Sequence, residues 1–78
     1  MWYVYIVKCK DDKLYTGITN NLENRIKQHN RGCGCRFTKY RIPVELLHVE
    51  KYDSKGKALS REAEIKGWKK EKKLELVG

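Results

Sequence analysis

The firmest constraint in this chain is a parity condition on its first hairpin. Trp2 to Cys9 and Leu14 to Thr19 are rich in aromatic and β-branched residues and read as two strands carrying Tyr3-Val4-Tyr5 and Tyr15-Thr16-Gly17. Between them, Lys10-Asp11-Asp12-Lys13 reads as a turn, because Asp bonds its local backbone and tolerates left-handed conformations. The strands therefore pair as a hairpin. Side chains alternate faces with period two, so loop length decides which residues share a face. A two-residue loop at Asp11-Asp12 sends Tyr5 and Tyr15 to opposite faces. A three-residue loop, Lys10-Asp11-Asp12 with Asp12 left-handed, puts Tyr5, Val7, Tyr15 and Gly17 on one face. It also sets Gly17 opposite Tyr5, which leaves space for the ring. If the tyrosines work together, the loop is odd.

The next segment predicts a helix capped by Asn20, with Glu23 completing a capping-box-like pair. Leu22, Arg25, Ile26 and His29 fall on one side of it, so Arg25 and His29 border the apolar stripe and lean towards the sheet. Gly32 is a natural stop. Gly32 to Pro43 is irregular and interleaves Arg36, Lys39 and Arg41 with Phe37 and Tyr40. That mixture suits a phosphate backbone and exposed bases; equally, Phe37 and Tyr40 could pin a solvated loop to the core. Val44 to Tyr52 predicts a third strand with its apolar alternation at Leu47 and Val49 and heavier burial around Leu46. Asp53 or Ser54 can cap a second helix from about Lys57 to Trp68, with an inward stripe of Ala58, Leu59, Ile65 and Trp68. Glu62 falls inside that stripe, where a carboxylate is costly unless a cation or hydrogen bonds accept it. Glu64 points away and is placed to pair with Ser60 and neighbouring lysines. Lys69 to Val77 reads as a short basic helix anchored by Leu74, Leu76 and Val77.

Seventy-eight residues suit one domain spanning 1–78. A net charge of +8 favours polyanionic partners, nucleic acid first and anionic membrane second. No run reaches the length of a membrane-spanning helix, and no signal peptide precedes the first strand, so a cytoplasmic, soluble chain is expected. Cys9, Cys33 and Cys35 are an odd number, as expected of free thiols in a reducing compartment. Cys33-Gly34-Cys35 has no second Cys/His pair at zinc-site spacing.

The candidate site residues are Tyr5, Tyr15, Arg25, His29 and Glu62. An arginine offers phosphate oxygens a planar fork of donors. A lone carboxylate suits Mg²⁺, which keeps most of its waters and borrows oxygens from a substrate phosphate. A tyrosine can move a proton if nearby positive charge favours its anion. Together these are parts for hydrolysing a phosphodiester. Each residue also has a structural reading: tyrosines as core, Arg25 snorkelling, His29 on the helix dipole, and Glu62 paired with Lys66.

Tyr3-Val4-Tyr5, Tyr15-Thr16-Gly17-Ile18-Thr19, Arg25-x-x-x-His29 and Arg61-Glu62-Ala63-Glu64-Ile65-Lys66 together resemble the GIY-YIG nuclease family. The likeness is to its small stand-alone, single-domain members, similar to the N-terminal domain of the excinuclease C subunit. It implies a mixed α/β (α+β) fold, a three-stranded, mainly antiparallel sheet flanked by helices in the order β-β-α-β-α-α. It also implies cleavage of nucleic-acid phosphodiesters, DNA foremost, with one divalent cation, Mg²⁺ or Mn²⁺. Carried over by position, Glu62 holds the metal, Arg25 steadies charge on the phosphate, and Tyr5 or Tyr15 takes a proton from water. His29 assists that tyrosine, and Gly17 allows close approach. The sequence departs from the family in having Tyr3 for glycine and Val4 and Thr16 for isoleucines. The asparagine that some members carry after the second helix has no counterpart here, and Cys33 and Cys35 stand where Lys, Ser or Ala is usual.

These observations predict a monomeric metal-dependent nuclease, with Arg36, Lys39 and Arg41 lending contacts to nucleic acid. A substrate of damaged or branched DNA, or a strand presented by a directing protein partner, fits a chain with no room for an added DNA-binding domain. The alternative is a non-catalytic nucleic-acid-binding module with a lapsed site. Both predict salt-sensitive binding; only the enzyme needs Glu62.

Overall fold

A computed structural model describes residues 1–33 and 39–77 of the chain. Arg36, Phe37 and Cys35, named above, lie outside the described residues. Strands β1 (Trp2–Lys8) and β2 (Leu14–Thr19) form the hairpin. Cys9 N–H donates to the Lys13 carbonyl at 2.8 Å, Asp12 N–H donates to the Cys9 carbonyl at 3.0 Å, and Asp12 has φ 67°. The loop is thus the odd one, Lys10-Asp11-Asp12. Its register sets Tyr5 against Gly17 and Val7 against Tyr15, as parity required.

Helix α1 (Leu22–Asn30) begins one residue later than expected. Asn21, not Asn20, is the cap, and its side chain accepts from Asn24 N–H at 3.1 Å. That shift takes Glu23 off the capping-box position, and it pairs instead with Lys27 one turn on, at 3.2 Å. At the other end Gly32 is left-handed (φ 78°), Gly32 N–H reaches the His29 carbonyl, and Cys33 N–H reaches the Gln28 carbonyl. These two bonds close the helix in the Schellman pattern.

Strand β3 (Glu45–Tyr52) lies antiparallel to β1 on the side away from β2, giving the sheet order β2-β1-β3. A register irregularity between Ile6 and Val7 leaves Ile6 opposite His48 and Val7 opposite Leu46. The strand departs from the expectation at Leu46 and Val49, while Leu47 is half-buried. Leu46 and Val49 are exposed, while His48, Glu50 and Tyr52 share the face of Val4 and Ile6. The reason is tertiary: that face receives Arg61 from helix α2 (Lys55–Lys66), a partner invisible to strand periodicity.

Ser54 caps α2, accepting from Lys57 N–H at 3.3 Å, and the helix starts two residues before the expected Lys57. Ala58 and Ile65 are fully buried with Val4 and Ile6, and Trp2, Leu14, Ile18, Tyr52, Trp68 and Leu76 pack around them. Trp68 does so from just beyond the helix. Leu59 is exposed rather than inward, since it stands about 100° round the helix from Ala58. Glu64 pairs with Arg61 rather than with Ser60 or a lysine. Helix α3 (Lys70–Glu75) is anchored through Leu76; Leu74 and Val77 remain exposed, because so short a helix presents only one side to the core.

A second cluster on the opposite face joins Tyr5, Val7, Cys9 and Val44 to Tyr15, Leu22 and Ile26. The molecule is therefore layered as α1, sheet, then α2 with α3. Asn30 closes the α1 layer, its side chain accepting from Val44 N–H at 2.6 Å.

Candidate active site

Tyr5 stands at the centre of the sheet with no exposure to solvent, and its ring passes directly over Gly17. A Cβ built on Gly17 would sit 2.6 Å from the Tyr5 hydroxyl and 3.0 Å from the Tyr15 ring. Real Cβ atoms essentially never show the first of these distances, and the ring met is buried, so glycine here is a packing requirement. The resulting geometry aims the Tyr5 hydroxyl at α1.

There it meets two of the predicted residues. The Tyr5 hydroxyl is 2.9 Å from His29 Nε2, and Arg25 Nε donates to the same hydroxyl at 3.4 Å. His29 is fully buried. Burial, and then the charge of Arg25, push its imidazole below the ordinary histidine pKa, so it is neutral at pH 7. Since the guanidinium can only donate to the phenol oxygen, we assign the phenol as donor to a neutral Nε2, an arrangement that avoids two cations on one oxygen. Arg25 also donates to Gln28 at 3.3 Å.

Tyr15 completes the cluster through edge contacts, its ring 5.4 Å from the His29 ring and 6.3 Å from the Tyr5 ring. It is only partly buried. Tyr5, Tyr15, Arg25, His29 and Gly17 are thus brought together on the α1 face.

Glu62 arrives from the other side of the sheet. Its side chain is 17% exposed, and its carboxylate lies 3.5 Å from Lys66 Nζ. That ammonium is in turn 5.9 Å from the centre of the Tyr15 ring. Since β2 is an edge strand, Lys66 passes the rim of the sheet and links Glu62 to the tyrosine cluster. The Glu62–Lys66 spacing of one turn was legible in the sequence; the reach to Tyr15 was not.

The residues expected to hold nucleic acid divide differently. Lys39 is exposed over the ring of Tyr40, which is itself 82% exposed and so pins nothing to the core. Arg41 is ion-paired with Asp11 at 2.9 Å, and its carbonyl accepts from Lys10 N–H, tying this loop to the hairpin turn. A cleft of about 370 Å³ bounded by Lys8, Lys10 and Pro43 lies at that turn; it touches the Tyr5 core cluster through Cys9 and Val44 but none of the five predicted site residues.

A separate network on the α2 face has no counterpart in the sequence reading. Glu50 receives Arg61 at both oxygens (2.8 and 3.1 Å), the Tyr52 hydroxyl at 2.7 Å, and contacts His48 Nε2 at 2.9 Å. The Arg61 hydrogen bonds, with those of His48 and Tyr52, bring the Glu50 carboxyl down to a pKa of about 2. Arg61 also lies 5.0 Å from the Trp68 ring centre, so this network fastens α2 to β3.

The model of the GIY-YIG catalytic domain matches residues 1–75. The chain belongs to the GIY-YIG family. It is 54% identical over 77 residues to UPF0213 protein CPE1444 of Clostridium perfringens, covering 99% of this chain and 83% of that protein. It is 51% identical over 75 residues to UPF0213 protein HQ_3675A of Haloquadratum walsbyi, covering 96% of this chain and 84% of the relative. The solution NMR structure of UPF0213 protein BH0048 from Bacillus halodurans is similar with a TM-score of 0.62 and 41% identity, over 99% of this chain and 83% of that one. No helix among the described residues is long and apolar enough to cross a membrane.

The GIY-YIG family implies a divalent cation, and the donor set can be tested against it. Among the described residues no three His, Cys, Asp or Glu side chains gather into a cage. A single, mostly shielded carboxylate suits Mg²⁺ or Mn²⁺, which retain water and complete their shells with phosphate oxygens. Glu62 fits that demand.

Proposed function

We propose that this GIY-YIG domain is a metal-dependent nuclease that hydrolyses DNA phosphodiesters. The observation that carries the reading is the hydrogen-bonded triad of buried Tyr5, buried His29 and half-buried Arg25 closed against Tyr15. A packed core does not need a neutral buried histidine and an arginine sharing one phenol. Arg25, a guanidinium held beside Tyr5, would bind a phosphate oxygen of the substrate. Tyr15, being partly exposed and not enclosed as Tyr5 is, is the tyrosine that takes the proton from the attacking water at its phenolate oxygen. Tyr5 and His29 fix the position of that ring and of Arg25. Glu62 would hold the cation, which when bound supplies charge neutralisation for the phosphate and acidifies water.

The net charge of +8 supports a polyanionic substrate and binding that weakens steeply with salt. The test is cleavage of end-labelled single-stranded, duplex and branched DNA in Mn²⁺, Mg²⁺ or chelator. Cleavage that needs the cation and falls by about 10²-fold or more in Tyr15→Phe is expected. Salt-sensitive binding of all three substrates with no cleavage in any cation would assign the chain to non-catalytic nucleic-acid binding.

A further inference from the structure

Lys66 lies one turn beyond Glu62 on α2, its ammonium 3.5 Å from one Glu62 oxygen and 5.9 Å from the centre of the Tyr15 ring. One cation therefore bridges a carboxylate and a phenol that come from opposite layers of the sheet. From these contacts we infer that Lys66 is an electrostatic gate on Glu62. It competes with a divalent cation for that carboxylate, yields it when the cation binds, and keeps the Tyr15 ring as its resting place. The inference rests on the reading of Glu62 as the metal ligand.

The one-turn spacing alone accounts for the ion pair. It does not account for the aromatic contact, which requires the lysine to point across the β2 rim instead of out into solvent. An ammonium and a divalent cation on one carboxylate repel strongly at such separations, so both cannot stay. Mobility decides which one moves. Lys66 is 49% exposed on a flexible stem, whereas Glu62 is 17% exposed and held on the packed side of the helix. A half-exposed pair of this kind contributes little stability, which makes the ammonium displaceable. The face of Tyr15 then offers a second favourable site for it. Arg61 engages Glu64 on its own helix and Glu50 across on β3, so neither carboxylate is paired with Lys66.

The experiment is a Mn²⁺ titration of the full chain without nucleic acid, following free Mn²⁺ by its paramagnetic resonance signal. Wild type is compared with Lys66→Met, Lys66→Ala, Lys66→Arg and Glu62→Gln. Removal of the charge in Lys66→Met and Lys66→Ala is expected to tighten Mn²⁺ binding by about 3-fold or more, while Lys66→Arg stays near wild type. Glu62→Gln is expected to abolish binding. If Glu62→Gln abolishes binding but both neutral Lys66 variants bind Mn²⁺ as wild type or more weakly, the gate is overturned and the metal assignment stands. If Mn²⁺ binding survives Glu62→Gln, the metal assignment itself fails and the gate with it. Agreement between the Met and Ala variants separates the loss of charge from any effect of the new side chain on folding.

Discussion

On the α1 side of the sheet, buried Tyr5 and His29 share a hydrogen-bonded cluster with half-buried Arg25, in which the histidine is kept neutral. On the α2 side, Glu50 and Arg61 form a bidentate ion pair in which the carboxylate is kept charged well below its ordinary pKa. Both use polar side chains in partly or wholly shielded positions, yet only one leaves a reactive group near solvent. The α2 network is saturated, since every charge in it has a protein partner, and it serves to fasten a helix. The α1 cluster ends in Tyr15, which is partly exposed, and borders the carboxylate of Glu62 through Lys66. The two faces thus differ in exposure: the α2 network fastens a helix to the sheet, and the α1 cluster reaches the surface at Tyr15.

The largest expected effect breaks the α1 side alone. Gly17→Ala drives a methyl group to 2.6 Å from the Tyr5 hydroxyl and forces that ring off His29. Cleavage is expected to fall about 10²-fold or more in single-turnover assays, because displacement of reacting groups by an ångström costs that much. Next comes the α2 clamp. Arg61→Gln leaves the Glu50 carboxylate without its bidentate partner and should cost about 2 kcal/mol in denaturant unfolding. Replacing Glu50 by Gln as well should recover part of that loss, since no stranded charge remains.

A pH series of unfolding curves separates the two faces further. His29 has a folded pKa below its ordinary 6.5, so only the unfolded chain takes the proton as pH first drops below 6.5, and stability declines there. Glu50 has a folded pKa of about 2 against an ordinary 4.5, so its contribution is complete above 4.5 and is lost as pH falls from 4.5 towards 2. His29→Gln should flatten the upper step and Glu50→Gln the lower. If one substitution erased both, the clusters would not be independent. The smallest effect is a gain: the Thr16 hydroxyl is buried without a hydrogen-bond partner among the described residues, so Thr16→Val should stabilise the fold by about 1 kcal/mol.

Much of the α1 side was legible in the linear sequence because its rules are local. Period two with an odd loop put Tyr5 over Gly17, and helical spacing put Arg25 and His29 on the face that meets them. The cap of α1 was misplaced by one residue because Asn20 and Asn21 carry the same side chain, and only backbone geometry distinguishes them. The α2 side was misread for a different reason. Strand periodicity assigns Leu47 and Val49 inward, and Val49 is exposed because Arg61, far along the chain, supplies the partner that lets His48, Glu50 and Tyr52 take the α2 face. Pairwise tertiary compensation leaves no local signature. The reach of Lys66 past the β2 rim belongs to the same class, since it depends on how a helix on one face meets the edge of the sheet.

The central claim is that one carboxylate on α2 works with the tyrosine cluster on the opposite layer. Its most direct test measures DNA cleavage in Mn²⁺ and DNA binding side by side for wild type and Glu62→Gln. Cleavage by wild type that disappears in Glu62→Gln, with binding affinity unchanged, is the predicted result. Equal cleavage by both proteins would contradict the account.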